Sequence, residues 1–494
     1  NIIMKIKYLL LSVFMLALWS CETDVVNPDE VYPEPYMDID SGDADFSTYV
    51  AMGEGITAGM TDNSLFMAGQ MNSYPNIMAG VMSMAGGGEF TQPYTNDNVG
   101  GMLVAGNPFW GARLFFNGAG PASVSGNVTN EATSTMPGPY NNMAFPFVNG
   151  IHMVAPGYGS LAGLAAGAAN PWFVRAASSD GATVLGDAAG QMPTFVTVMP
   201  GNDFAAYAGF GASGLMGTTL DLTSPQGMLV GVGATLQTLG AMVPSGVVTT
   251  LPDPTNTPQW NTVPWNSIPL DQATADQLNA LLATPYNGAV AVAALFGIIS
   301  PEEAALRNVN AVAGLNGVLI EDESLTLIDL SALGGPVLPN IRQANANDKI
   351  GLTAAAVLGT PIDPSNPALG VWGVSAPLSD QYTLLANEIS DIQSQLATAN
   401  AAISASVPNG WALFDLGGLY NQVVTTGVFE DEFNMTGDLV FGGFFGLDGY
   451  HPTSRGSALI AKKMMEAIDA TWGSNLSDVG LDIGDYPTNY PDGI

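Results

Sequence analysis

The chain has 494 residues, with 44 acidic against 10 basic side chains, a net charge of −34 and 47% hydrophobic residues. That charge repels nucleic acid and anionic lipid headgroups and so excludes nucleic-acid partners, while the apolar fraction suffices for sizeable cores. One cysteine excludes a disulfide within one chain, and two histidines with one cysteine exclude a zinc site of the usual kind. No metal and no cofactor is expected.

In chain order, Lys5 and Lys7 precede an apolar run at 9–19 that is too short to span a bilayer and ends at Ser20-Cys21. Residues 1–21 therefore read as a lipoprotein signal peptide, with Leu18-Trp19-Ser20-Cys21 resembling a loose lipobox and Cys21 as the lipidated residue. Residues 22–44 are acidic and carry Pro28, Pro33 and Pro35, which reads as an extended tether. The expected location is the cell envelope, lipid-anchored to the outer membrane on its periplasmic or surface face. Asp38, Asp40, Asp43 and Asp45 crowd together but lack the glycine and terminal glutamate of an EF-hand loop, so they read as solvated acid.

Residues 45–53 predict a strand closed by glycines, with a helix entering at 73–79. A second apolar strand at 194–199 ends at Pro200-Gly201-Asn202-Asp203. The stretch 211–370 reads as a large insertion with local helices, where Thr274 with Gln277 and Ser300 with Glu303 have capping-box spacing and Leu278, Leu281 and Leu282 form one apolar face. Leu385, Ile389, Ile392, Leu396 and Ala399 recur at spacings of 4, 3, 4 and 3, an amphipathic helix. A buried strand follows at 411–416. The last helix begins at Ser454, with Ile460, Met464, Ala467, Ile468 and Thr471 on one face and Lys462 and Lys463 on the other. Residues 474–494 read as an acidic tail, its last dozen residues outside the ordered structure. Strands alternating with helices over 45–473 predict an α/β sandwich with a mostly parallel sheet, whose ligands sit beyond the carboxyl ends of the strands.

Three blocks fall at such strand ends. They are Tyr49-Val50-Ala51-Met52-Gly53-Glu54-Gly55-Ile56-Thr57-Ala58-Gly59, then Pro200-Gly201-Asn202-Asp203, then Asp448-Gly449-Tyr450-His451-Pro452. In order and spacing they resemble the first, asparagine and acid–histidine blocks of the SGNH, or GDSL, hydrolases, and 70–79, 86–93, 140–142 and 338–348 are similar to a long, lipid-anchored branch of that family. The resemblance implies a three-layer α/β/α sandwich, flavodoxin-like, and acyl transfer from an ester to water through a serine. It makes His451 the general base, Asp448 the acid that orients it, and Asn202 an oxyanion donor. A capped helix start for Asp448 and His451, and a turn former for Asn202, are the structural alternatives.

The chain departs from the family at two positions. Gly55 stands where the nucleophilic serine belongs, and glycine cannot attack a carbonyl. Phe147, in Asn141-Asn142-Met143-Ala144-Phe145-Pro146-Phe147, stands where an oxyanion glycine is expected and would fill that space. Thr57 and Ser64 are the nearby hydroxyls, the first facing the strand-to-helix packing and the second set in the loop after Thr61. A water activated by His451 is a further route to weak turnover, and His152 reads as a structural histidine. Two functions stay open on these residues. One is an esterase or acyl-hydrolase with degraded chemistry, acting on an ester-bearing carbohydrate or lipid. The other is a noncatalytic binding or assembly module working with an outer-membrane protein.

Overall fold

The computed structural model describes residues 38–201, 203–209, 211–212 and 226–493. Asn202 and Cys21 lie outside the described residues, as do the whole of 1–21 and the 22–37 part of the expected tether.

Five short apolar runs form one sheet. They are β1 (Tyr49–Gly53), β2 (Asn142–Ala144), β3 (Phe195–Val198), β4 (Ser245–Thr249) and β5 (Ala412–Phe414). Every adjacent pair is parallel, with Ala51 opposite Asn142, Val50 opposite Val196, Val196 opposite Gly246 and Leu413 opposite Val248. All residues of β1 through β4 are buried, as befits largely apolar parallel strands covered on both faces.

The spatial order is β2-β1-β3-β4-β5. The chain leaves β1 toward one edge and then returns to build the other, so the order reverses between β1 and β3. In an open parallel sheet the crevice at that reversal, beyond the carboxyl ends of the strands, is where ligands bind. Glu54 and Gly55 leave β1 into it, and Met199 to Gly201 leave β3 into it.

Helices flank the sheet: α1 (Gly55–Ala58), α2 (Tyr74–Met84), α3 (Gln226–Gly240), α4 (Ala386–Ala405) and α5 (Ser454–Trp472). Helix α5 packs against α2, and α4 packs against α3. In α5, Ile460, Met464 and Ile468 are fully buried, each stabilising the unit by roughly 1.5–3 kcal/mol. Lys462 and Lys463 stay toward solvent and pair with Glu430, Asp431 and Glu466, and Thr471 is exposed. In α4, Leu385, Ile392, Leu396 and Ala399 are buried as the spacing predicts.

Three boundaries differ from the sequence reading. The compact unit begins at Ile39, because Ile39 and Ala44 are buried and the Asp43 amide bonds the Trp472 carbonyl at 2.8 Å, so the expected tether does not run to 44. Within 211–370, α3 and β4 belong to the central sheet and its cover, and the excursion from the sheet starts only after Thr249. Their few charges and many glycines resemble the insertion in composition, which hid them. The last dozen residues are docked rather than free. Tyr490 packs edge-on to Phe66, its hydroxyl is 2.6 Å from the Ser454 hydroxyl, and buried Arg113 donates to the carbonyls of Tyr490 and Pro491.

The excursion between β4 and α4 carries two small cores of its own, one around Tyr286, Val290 and Ile341 and one around Val318, Ile320 and Leu378. Buried Arg342 ties it together through Asp322 at 2.5 Å and Asp348 at 2.6 Å. Ser300 caps the helix Pro301–Leu306 as expected, whereas Asp271 rather than Thr274 caps Gln272–Leu278, its carboxylate accepting the Thr274 amide. Leu281 is exposed, whereas Leu278 and Leu282 are half-buried and Leu282 packs against the first of these cores, so the expected apolar face is split.

Candidate functional site

The acid–histidine loop meets the end of β1 directly. Asp448 is held by three amides, accepting from Tyr450 and His451 at Oδ1 and from Asn63 at Oδ2, each at 2.8 Å. Asn63 and Asp62 are left-handed, a conformation their short polar side chains tolerate, and this turn aims the Asn63 amide at the carboxylate. Gly449, between acid and histidine, has φ +76°, and a Cβ there would lie 2.5 Å from the Gln259 nitrogen. The position takes only glycine, and the Pro258–Asn261 turn clamps the loop through the Gln259 amide on the Gly449 carbonyl at 3.0 Å. Thr453, not Asp448 or His451, caps α5.

The His451 ring places Nδ1 3.1 Å from Asp448 Oδ2 and Nε2 against Gly55. A Cβ built on Gly55 would stand 2.5 Å from that Nε2. The imidazole thus occupies the room a side chain at 55 would need.

Glu54, which the sequence reading passed over, completes the group. Its side chain is buried and caps α1, with Oε2 accepting the Gly55 amide and Oε1 the Ile56 amide at 2.9 Å. The same Oε2 lies 3.9 Å from His451 Nε2. The sequence signal was an acid immediately before a helix start, where carboxylates commonly cap.

The electrostatics follow from two carboxylates around one ring. Burial alone would lower the pKa of His451, but the charge and hydrogen bond of Asp448, and then Glu54, raise it to about 10. Burial pushes the Asp448 carboxyl up, but His451 and the Tyr450 and Asn63 amides hold it below the usual range. Raised this far above its ordinary value, His451 holds its second ring proton at neutral pH. A general base must be neutral, so this histidine serves as a cation between two anions.

The remaining candidates are placed as follows. Thr57 is buried, its hydroxyl 3.0 Å from that of Tyr74 and turned toward Met199. The Ser64 hydroxyl accepts the Gly101 amide at 2.7 Å and donates to the Gly111 carbonyl, so it braces a loop. Phe147 follows β2 with φ +64°, a backbone conformation that glycine adopts without strain and phenylalanine rarely does. Its half-buried ring packs 4.5 Å from Trp110 and 5.5 Å from Trp172, centroid to centroid. His152 stacks on Tyr158 at 4.3 Å and accepts the Asn149 amide at Nδ1, and burial lowers its pKa to about 4. The block after β3 is described only around Asn202. There Gly201 approaches so closely that a Cβ would meet the Gly150 nitrogen at 2.6 Å, and buried Asp203 accepts the Gly150 amide at 2.7 Å.

Two other features bear on ligands. A groove of about 600 Å³ runs beside the Pro258–Asn261 turn, lined by Asn256, Asn261, Thr425, Thr426, Thr436 and Asp438. Among the described residues, Glu323, Asp380 and Glu388 bring carboxylate oxygens within 4.8 Å of one another. Burial, and then Glu323, raises Asp380 to about 7 and Glu388 to about 9, so bound protons relieve the repulsion among these acids at neutral pH.

Fold and site together define a class, a parallel α/β protein with an acid–histidine pair at the switch point of its sheet. No family model matches the chain, and no curated protein or solved structure matches it.

Proposed function

We propose that the chain is an SGNH/GDSL-type envelope lipoprotein, a three-layer α/β/α sandwich whose ester-hydrolysing site has become a closed, internally neutralised ion cluster, and that it works as a noncatalytic binding or assembly module. The observation that carries this reading is Glu54. Its carboxylate takes the Gly55 and Ile56 amides, the groups that would stabilise a substrate oxyanion at this strand end, and sets a negative charge beside His451. The sheet order, with the acid–histidine loop and the glycine run meeting at its switch point, supports the family reading.

Three features bear on turnover. There is no hydroxyl at 55, the base is protonated, and the amides are occupied. Loss of a nucleophile alone typically costs on the order of 10⁴ to 10⁶ in rate. A neutral polyhydroxylated ligand such as a carbohydrate suits the groove of amides and hydroxyls beside the Pro258–Asn261 turn. The anchor at Cys21 and an outer-membrane protein partner belong to the same reading.

The test is hydrolysis of p-nitrophenyl acetate by the chain from Glu22 onward, with His451→Ala as the matched control. Equal rates at the buffer background are expected. A rate above background that His451→Ala abolishes would make the protein a working hydrolase and sink the proposal.

A further inference from the structure

One helix of this acidic chain exposes large apolar side chains. Between Asp276 and Glu302 no residue is charged, and although other uncharged stretches occur in this sparsely charged chain, this one lies largely at the surface. This stretch forms most of the helical run Gln272–Leu295, and only 22% of its most apolar window is buried. Tyr286, Val290 and Ala293 turn inward to the excursion's core. On the opposite side Leu281, Pro285, Gly288, Val292 and Leu295 recur at spacings of 4, 3, 4 and 3 and form one outward stripe. Leu281 is 72% exposed, Leu295 82% and the adjoining Phe296 61%. From Leu281 to Phe296 the stripe is about 22 Å long. Large apolar side chains exposed on one face of an uncharged helix mark a contact face rather than scattered surface leucines.

We propose that this stripe is a membrane-contact face that lies in the plane of an uncharged lipid surface, sinking Leu281, Val292, Leu295 and Phe296 into the headgroup boundary. The inference rests on the lipid-anchor reading of Cys21. Charge argues for lipid over a second copy, since another copy brings its own −34 to the contact. It argues equally for zwitterionic over anionic headgroups. The length of chain argues the same way. Only eighteen residue steps separate Cys21 from Ile39, where the compact unit begins, a span of at most about 60 Å when extended. An anchor so close keeps the bilayer at an effective concentration in the millimolar range, so a modest apolar contact suffices for docking.

The test is flotation of the unlipidated chain from Glu22 onward with phosphatidylcholine vesicles at millimolar lipid, against the triple variant Leu281→Glu, Leu295→Glu, Phe296→Glu. All three positions are exposed, and matching circular dichroism and melting temperature confirm that the variant folds. The expected result is that wild type floats and the variant floats at least about tenfold less, since each leucine moved from water into an apolar phase is worth around a factor of ten or more. Equal flotation of the two proteins overturns the proposal, as does wild type remaining with the dense fraction. A concentration-dependent dimer that the triple variant abolishes, without vesicle binding, would assign the stripe to a second copy and likewise overturn it. Mass spectrometry of the amino-terminal peptide from the envelope fraction tests the anchor separately, so failure of the stripe and failure of the lipidation are distinguishable.

Discussion

The two histidines should titrate at opposite ends of the pH scale, and Glu54→Gln should move only one of them. His451 lies between Asp448 at 3.1 Å and Glu54 at 3.9 Å and is raised to about 10, while His152 is lowered to about 4 by burial. Two unit charges 3.9 Å apart attract by about 4 kcal/mol at an effective dielectric near 20. That sets an upper limit of roughly three pKa units on what Glu54 contributes. Asp448 is the larger contributor, and the glutamine keeps a carbonyl oxygen to cap α1, so the expected fall for His451 in Glu54→Gln is about one to two units. Proton NMR of the imidazole Cε1–H resonances reads both sites directly, because the chain has only two histidines and His152→Asn assigns them. A His451 resonance that titrates near 6.5 in the wild type, or that moves by less than about 0.3 unit in Glu54→Gln, would refute the ion-cluster account of the site.

Further outcomes follow from the same geometry. Thermal stability should fall as pH rises from about 6.5 to 10, above the range in which His152, lowered to about 4, works in the opposite direction. Asp62 and Asp203 are raised to about 7 and His451 to about 10, and a raised group stabilises below its unfolded value and loses that contribution as pH climbs through its folded one. For His451 the loss between pH 6.5 and 10 is about 5 kcal/mol, and a melting temperature that rises over this range would contradict it. Gly55→Ser alone should leave p-nitrophenyl acetate turnover at background and destabilise by about 1–3 kcal/mol in denaturant titration, since its Cβ would meet His451 at 2.5 Å. Recovered esterase activity in that single variant would mean that the ring yields freely. Arg342→Ala strands Asp322 and Asp348 in the interior and should cost about 3–5 kcal/mol, seen as early loss of hydrogen-exchange protection in the excursion. Tyr490→Ala should destabilise by about 3 kcal/mol, whereas a free tail would register no change.

Much of the sheet was legible because parallel strands covered on both faces are largely apolar, as Tyr49–Gly53 and Phe195–Val198 are, and a short apolar run marks Ala412–Phe414. Helices α4 and α5 were legible because one-sided burial imposes a 3.6-residue repeat on Leu385 to Ala399 and on Ile460 to Ile468. The meeting of Asp448 with His451 was also readable, since three residues of a tight loop suffice to join them.

What the sequence could not order were contacts between distant segments. β4 passed for part of an insertion because its partners, β3 and β5, lie 50 and 167 residues away counted from its first residue, Ser245, to Phe195 and to the first of β5, Ala412. Glu54 read as one acid among 44 until folding brought His451, nearly 400 residues on, within 3.9 Å of it. The absence of a serine at 55 is written in the sequence. The tertiary structure alone decided that a histidine ring fills the vacated room and a glutamate neutralises it, because charge state and available space depend on which groups surround a side chain in three dimensions.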